Sequence, residues 1–398
     1  MKKKLWLFIF CFVILSIYLY GNDRRPFRMP DRSFEIGLLH TNVNFANDFL
    51  SIFDIFQETA VIDLGELKDG FNASFGFEIT PFYILYNNKR NNWGFGFSAA
   101  LDLTGSLGLS GNMLSLSPAI NDRSSISGAA FTEARFLVYF PVSRLTIRIS
   151  PAVYYPLLFV QPDVSYTYIV GADSANLDLH YNLRIFTPFS LEDGFAFSME
   201  DIYSFLFSGR PGVDINIGLE YSLEDTHGLI LGLNMYNIPV FPGQLSHFMQ
   251  LEGRIGDSDL NFFDGFDLDN FITIEDIVYG QEYRTVLRPF IMHAWADWRP
   301  FRIIPIHFIS TAGFAFNPHY LEPFSPEYGL KTRLDLANIL IATVGLGYYD
   351  RMWRNSVDLA FNLRAFEINF GVDMRSPNFF DIWSGGGLGI SAGLKLGW

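Results

Sequence analysis

The sequence contains one cysteine, Cys11, among its 398 residues. Cys11 lies within an apolar N-terminal stretch, so the rest of the chain has no thiol that could form a disulfide or bind a metal as a thiolate. The stability of that part of the chain must therefore come from side-chain packing and backbone pairing.

Long apolar runs are lacking too, although 49% of the residues are hydrophobic. After the N-terminus no apolar run reaches the ~18 residues of a membrane helix, which excludes helical spans there. An aromatic content of 17% is too high for a disordered protein. The net charge of −14 disfavours nucleic acid and anionic lipid as partners, and we expect no nucleic-acid partner.

The N-terminus has the pattern of a secretory signal peptide. Lys2, Lys3 and Lys4 precede the apolar stretch Leu5–Tyr20, which predicts a signal peptide over residues 1–21. The alternative is a retained membrane anchor. A helix over this stretch is about 24 Å long, which is short for a ~30 Å hydrocarbon core, so the signal peptide is favoured.

Apolar residues alternate with small or polar ones along much of the chain, for example over Trp93–Thr104, Val213–Ser222, Ser356–Arg364 and Leu388–Trp398. This period predicts strands with one apolar and one polar face. A soluble sandwich gives the same pattern. Here the polar faces are rich in Gly, Ala and Ser, as suits a lumen. Many predicted strands also exceed the ~5–6 residues usual in soluble proteins and reach the ~9–11 that a tilted membrane strand needs.

The sequence therefore predicts an all-β protein, a transmembrane antiparallel β-barrel over residues 70–398 in the bacterial outer membrane. We count about sixteen strands from Phe71 onward, with fourteen as the main alternative, so the prediction is about 14–16 strands. Counted back from the C-terminus, short and long links alternate. The alternation fails at Pro141–Ser143, which falls on the side of the long loops. The link Arg364–Ala365 lacks turn residues, so a bulge within one long strand is an alternative there.

The last strand carries a candidate assembly signal. Leu394 and Leu396 continue the apolar alternation to the terminal Trp398. This ending resembles the final strand of bacterial outer-membrane barrels, which the barrel-assembly machinery recognises. We therefore expect that machinery and outer-membrane lipid as partners.

Two stretches carry a resemblance beyond this class. They are LGLNMYNIPVFPG at residues 231–243 and the segment 356–398. Both resemble uncharacterised spirochaetal outer-membrane barrel proteins, some of which are distantly similar to the long-chain fatty-acid transporter (FadL-like) family. The resemblance covers about the last 180 residues best. It implies an architecture and assigns no binding residue, because the stretches match strands and turns.

One segment departs from the alternation and predicts a short amphipathic helix, Asn47–Phe56, within an N-terminal segment over residues 22–69. Its apolar face consists of Phe49, Ile52, Phe53 and Phe56. This helix could plug the lumen, or it could lie under the periplasmic rim or on the membrane surface. A second short helix is predicted at Met199–Phe207.

Acidic residues concentrate in the stretch 257–276, which contains no Lys or Arg. Clustered carboxylates suit a hard cation such as calcium, but the spacing does not match an EF-hand loop. A solvated surface loop is the favoured interpretation, and a cation or partner site is the alternative.

The inner faces of the predicted strands carry nearly balanced charge, which predicts a wet lumen with weak ion preference. The inner faces carry seven acids and six bases. The candidate lumen-facing charges are Asp102, Arg144, Arg148, Asp214, Glu220, Asp358, Arg364 and Glu367, and the remaining members of the set are Asp335, Asp373, Lys331, Arg333 and Lys395. A lumen of ~14–16 strands is wide enough for a channel unless it is filled.

Catalytic motifs are missing: there is no H-E-x-x-H, G-x-S-x-G or P-loop. His293 and Asp297 share a predicted strand face, and His307 and Ser310 nearly do. Such pairs arise by chance in a barrel of this size, so we expect no enzyme, catalytic residue, cofactor or metal. The predicted function is a pore or transporter for an unknown small-molecule substrate, which could be hydrophobic. A structural or surface-interaction barrel without transport is the alternative.

Overall fold

The computed structural model describes residues 32–47, 71–109, 125–170, 175–192, 203, 210–223, 228–257, 272–301, 305–317, 323–337, 339–363, 365–384 and 386–397. The signal peptide, the apolar residues of the predicted plug helix, almost all of the second predicted helix, most of the acidic stretch, Arg364 and Trp398 lie outside these residues. No helix in the described part of the chain is long and apolar enough to cross a membrane.

The described chain forms seventeen antiparallel strand segments and one short 3₁₀ helix, Phe379–Ser384. The strands are β1 Phe34–Asn47, β2 Phe71–Asn88, β3 Trp93–Leu109, β4 Ser125–Val142, β5 Leu145–Val170, β6 Ala175–Thr187, β7 Gly212–Ser222, β8 Leu229–Phe241, β9 Gly243–Asp257, β10 Ile272–Val286, β11 Phe290–Trp298, β12 Ile306–Phe316, β13 Phe324–Leu336, β14 Leu340–Tyr349, β15 Met352–Leu363, β16 Phe366–Ser376 and β17 Gly387–Gly397.

The sheet closes on itself where the first strand meets the last. β1 pairs with β2 on one side and with β17 on the other, from Glu35 opposite Gly397 to Ala46 opposite Gly387. Closure removes the free edges that a sheet otherwise exposes. The fold is therefore a closed antiparallel barrel, and the predicted all-β barrel is confirmed.

Three passes of the wall are interrupted, and each is made of two strand segments. The first half of β5 pairs with β7, and its second half pairs with β6. β7 continues to β8 and β11, while β6 continues to β9 and β10. β6 with β7, β8 with β9, and β10 with β11 therefore each form one pass. The wall has fourteen passes.

The count of sixteen was wrong for this reason. Sixteen segments do follow Phe71, but six of them are halves of three passes, and β1 adds one pass before them. The two segments of an interrupted pass run in the same direction. Counting them as two antiparallel strands therefore assigns every earlier link of the chain to the wrong end of the barrel, because the ends were assigned by counting back from the C-terminus. The turn after β4 therefore lies at the same end of the barrel as the other tight turns, and its assignment to the long loops was wrong.

Prolines stand at two of the interruptions. Pro242 separates β8 from β9, and Pro289 ends the link 287–289 between β10 and β11. Proline has no backbone N–H and cannot donate a hydrogen bond to a neighbouring strand. Continuous pairing is therefore lost at both positions.

The barrel begins earlier than residue 70, because β1 belongs to the wall. Its sequence keeps the two-residue period only on either side of Leu39, which has a φ of 48° and interrupts the register with β17. This bulge shifts the apolar positions from even to odd numbers. Asn47 ends β1, and its backbone N–H donates to the carbonyl of Gly386 at 2.7 Å.

The two faces of the wall differ in chemistry. On β3, Phe95 and Phe97 are more than 40% exposed on the outer face, whereas Ser98 is buried on the inner face. Aromatic side chains on the outer face contact each other near both ends of the barrel, as in the pair Tyr86–Trp93 and the pair Tyr348–Trp353. The barrel thus presents apolar side chains outward and small or polar ones inward.

The two ends of the barrel differ in their connections, and we call them the turn end and the loop end. The turn end carries the tight turns at 89–92 and 143–144 and the link 364–365 between β15 and β16. Because β15 and β16 pair antiparallel on either side of that link, the alternative of one bulged strand is wrong. The loop end has a tight link too, at 350–351 between β14 and β15.

Candidate functional site

The interior of the barrel holds a cavity of about 1110 Å³, lined by side chains from most of the passes. Its polar lining includes Ser98, Asn216, Asn234 and Thr343, and glycines occupy several further inward positions. The Gly-, Ala- and Ser-rich strand faces of the sequence therefore surround the lumen. This cavity is the candidate functional site.

The predicted lumen charges fall into three groups. Asp102, Arg148, Asp358 and Glu367 line the cavity. Asp214 and Glu220 lie on β7 and pair with arginines that also line it. Arg144 differs: it lies in the tight turn 143–144, with an exposed side chain, because β5 begins only at Leu145. Arg364 lies outside the described residues.

Ion pairs join neighbouring strands across the inner face near the turn end. Arg148 donates to Glu220 at 2.5 Å, and Lys395 donates to Glu367 at 2.7 Å. Each pair joins oppositely charged side chains on adjacent strands, which stabilises their register. The near balance of acids and bases in the lumen thus arises from local pairing.

A buried charge cluster centred on Arg288 lies where the wall is interrupted. The Arg288 Nε donates to Asp214 Oδ2 at 2.7 Å, and its Nη2 donates to Asp214 Oδ1 at 2.7 Å. The same guanidinium contacts Glu133, which also accepts from Arg135 at 2.9 Å. Sequence reasoning missed this cluster except for Asp214, because Arg288 lies in a link outside any alternating stretch.

Tyr154 on β5 contacts both Arg288 and the backbone at the interruptions. Its ring lies 5.0 Å from the Arg288 guanidinium carbon. Its hydroxyl donates to the Val286 carbonyl at 3.1 Å and accepts from the Gly243 N–H at 3.1 Å. One side chain thus hydrogen-bonds backbone groups at both proline-associated interruptions.

An apolar cluster adjoins these groups on the lumen side. It consists of Phe131, Tyr154, Phe159, Phe186, Leu245 and Val286, all almost fully buried. Phe131 and Tyr154 meet edge to face at 5.8 Å, a favourable aromatic geometry. Phe131 and Phe159 also line the cavity, so part of the wall around it is aromatic.

A second apolar cluster narrows the lumen near the turn end. It consists of Tyr83, Leu85, Leu137 and Tyr139 on the inner faces of β2 and β4. The Tyr83 hydroxyl donates to Glu35 at 2.7 Å, and Tyr139 lies across the open position of Gly94. These side chains therefore occupy part of the barrel interior at this end, on the side of β2 to β4.

The histidines highlighted in the sequence pair with acids on other strands: His307 on β12 pairs with the adjacent β11, whereas His293 on β11 reaches β13 across Gly313 of β12. His293 lies 2.5 Å from Glu327, and His307 lies 2.8 Å from Asp297. Ser310 is exposed on the outer face of β12, whereas His307 is on the inner face, so these two side chains do not meet. Among the described residues, no group of three or more His, Cys, Asp or Glu is arranged to hold a metal ion.

No protein-family model matches the sequence, and no curated protein matches it. Solved structures do resemble its fold. Two crystal structures of the Pseudomonas putida toluene transporter TodX superpose with a TM-score of 0.50 each. One is 11% identical and covers 93% of this chain and 91% of its own; the other is 12% identical and covers 96% and 94%. The likeness is one of fold. It agrees with the distant FadL-like resemblance in the sequence and does not bear on a spirochaetal origin.

Proposed function

We propose that the chain is a bacterial outer-membrane barrel whose lumen passes small molecules, hydrophobic ones among them. One observation carries the proposal: a closed sheet of fourteen passes with an apolar outer face surrounds a cavity of about 1110 Å³. Lipid hydrocarbon offers no hydrogen-bond partners, so a sheet that spans a membrane must close, as this sheet does.

Outer-membrane lipid and the barrel-assembly machinery are the partners that this proposal requires. The exposed aromatic and aliphatic side chains of the outer face suit lipid, and β17 closes the barrel as its last strand. We propose neither an enzymatic activity nor a nucleic-acid partner. A spirochaetal origin remains a prediction from the sequence resemblance alone.

Two features support a hydrophobic substrate. TodX, whose fold this chain shares, is described as a toluene transporter. The lumen side of the wall also carries the aromatic side chains of Phe131 and Phe159 beside polar groups. Ligand sites are usually mostly apolar with a few placed polar groups, and this part of the cavity has that composition.

A structural barrel without transport is the second candidate, and the narrowing at the turn end favours it. Tyr83, Leu85, Leu137 and Tyr139 are all under 5% exposed although they lie on the inner face. Side chains packed in this way reduce the open cross-section. A barrel whose lumen is filled across its full width at this end would be stable and would carry no ionic current.

Planar-bilayer recording on the signal-free protein, refolded in detergent, separates the two candidates. Discrete current steps are expected from an open lumen. The second measurement is the entry rate of radiolabelled toluene into Gram-negative cells, whose lipopolysaccharide leaflet slows hydrophobic solutes. A folded, heat-modifiable barrel that gives no current steps and no faster toluene entry would sink the transport proposal and leave the structural one.

The predicted plug helix has its own test. Deleting residues 49–60 removes Phe49, Ile52, Phe53 and Phe56 while leaving β1, which the wall needs, intact. Larger current steps in the deletion variant would support a plug inside the lumen. Unchanged steps would place the helix outside the conducting path.

A further inference from the structure

We propose that Arg284 forms an oxyanion-binding site on the lumen wall, which takes the carboxylate of a small organic acid or inorganic phosphate. The inference deepens the proposed transport function and rests on it, because it names a chemical group that a passing solute would carry. Arg284 lies near the end of β10, just before the interrupted link 287–289, and lines the cavity.

The Arg284 guanidinium stacks on aromatic rings. Its central carbon lies 5.4 Å from the ring centroid of Phe159 and 5.7 Å from that of Phe186. Both rings are buried in the apolar cluster beneath it. Contacts of this kind hold a guanidinium by its faces and do not satisfy the N–H groups in its plane. The rings thus fix the fork of donors without accepting hydrogen bonds from it.

Arg284 has no polar partner among the described residues. No carboxylate there lies within the 4.0 Å of an ion pair, and the buried Nε has no hydrogen-bond acceptor. Six other arginines that line the cavity each have a hydrogen-bond partner. These are Arg32, Arg135, Arg148, Arg288, Arg333 and Arg354. Arg284 therefore presents a positive charge to the cavity that no described carboxylate neutralises.

The chemistry that completes such a group is an oxyanion. A carboxylate or phosphate can accept two parallel hydrogen bonds from the guanidinium edge and brings a negative charge. A water molecule is neutral and does not neutralise the guanidinium. The Nε is buried, so a ligand in the cavity would accept from the two terminal Nη groups of the guanidinium. The apolar cluster behind the guanidinium keeps water from one side and strengthens the interaction.

Arg184 supplies a matched control, because its guanidinium also stacks on an aromatic ring but its N–H groups have acceptors. Its guanidinium carbon lies 5.4 Å from the ring centroid of Phe248. It also donates to Gln250 at 2.9 Å and pairs with Glu282 at 3.4 Å, so its donors already have acceptors. Arg184 is not part of the cavity lining.

The test is isothermal titration calorimetry on the folded barrel in detergent, with sodium benzoate and sodium phosphate as separate probes. The expected result is saturable binding of at least one probe to the unaltered protein. Arg284→Gln should weaken that binding roughly tenfold or more, since a charge-assisted pair is lost. Arg284→Lys keeps the charge but not the fork and should bind with intermediate affinity. Arg184→Gln should bind like the unaltered protein.

Binding of benzoate alone would identify an organic carboxylate as the natural ligand class, and binding of phosphate alone would identify phosphate. No saturable heat from either probe, or equal affinity in Arg284→Gln, would overturn the proposal. Heat-modifiable migration checks that each variant is folded, and Arg284→Lys carries the test where the glutamine variant does not fold. Current steps without anion binding would refute the anion site and leave the proposed pore intact. Arg284-dependent binding in a barrel that gives no current steps would refute the open pore and leave the anion site intact.

Discussion

Arg288 and Asp214 are joined by two hydrogen bonds of 2.7 Å, one to each carboxylate oxygen. Their side chains are only 5% and 2% exposed, although both lie on the inner side of a barrel with a large cavity. Arg288 belongs to the link between β10 and β11, and Asp214 lies near the start of β7. The pair therefore joins the pass made of β10 and β11 to the pass made of β6 and β7. It does so on the inner side of the wall, where the strands of both passes are interrupted.

Replacing Arg288 with Met should strongly destabilise the barrel. The change leaves Asp214 buried without its partner and near the carboxylate of Glu133, and a broken buried pair costs on the order of 3 kcal/mol. The measurement is the urea midpoint of unfolding in detergent, followed by heat-modifiable migration. Adding Asp214→Asn to the variant should recover part of the loss, because Glu133 keeps Arg135. A midpoint equal to that of the unaltered protein would show that the cluster contributes no stability.

Much of the barrel could be predicted from the sequence because a strand between two different solvents must alternate. The alternation over Trp93–Thr104, Ser356–Arg364 and Leu388–Trp398 corresponds to β3, β15 and β17. β1 escaped because the bulge at Leu39 shifts its apolar positions by one residue. The interrupted passes were not predicted, because a proline between two alternating stretches has the same sequence pattern as a turn between two strands. Pro242 and Pro289 do lie at the positions where strand pairing stops.

The lumen could be predicted less completely than the wall. Inward charges such as Asp102 and Asp358 lie in stretches whose period fixes their face. Their partners come from other strands, and no local pattern in the sequence predicts a contact such as that between His293 and Glu327. Arg284 and Arg288 lie beside a link, where the two-residue period no longer assigns a face.

Gly232 should be intolerant of even a methyl group. A Cβ at this position would overlap the indole ring of Trp295, which lies across Gly232 from the paired position on β11. Gly232→Ala should therefore destabilise the barrel by about 1–3 kcal/mol, the usual effect of overpacking. Gly128→Ala is the control, because the nearest atom to its Cβ is 3.4 Å away. Similar urea midpoints for the two variants would contradict this steric argument.

The 3₁₀ helix after β16 should contact lipid at the loop end of the barrel. Phe380 and Trp383 are 83% and 68% exposed, and Phe379 packs on Trp353 at 4.8 Å, so the helix extends the outer aromatic surface. Aromatic residues of this kind concentrate at membrane interfaces. In liposomes containing brominated lipid, Trp383→Phe should remove a quenched component of the tryptophan emission.

Trp295→Phe is the matched control for this experiment, because Trp295 faces the lumen. Its replacement should remove an emission component that brominated lipid does not quench. If both variants lose the same quenched fraction, the helix has no special contact with lipid.

Trp398→Ser should lower the amount of assembled barrel in the outer membrane without abolishing the mature fold. β17, which ends at Gly397, pairs with both β1 and β16 and so completes the wall. Trp398 follows this strand, and its predicted role is recognition by the assembly machinery. The measurement is the heat-modifiable band in outer-membrane fractions, alongside refolding of the purified variant in detergent. Trp383→Ser makes the same chemical change at the rim and should assemble normally. An unchanged outer-membrane level of Trp398→Ser, or equal loss in both variants, would show that the terminal tryptophan is not the signal.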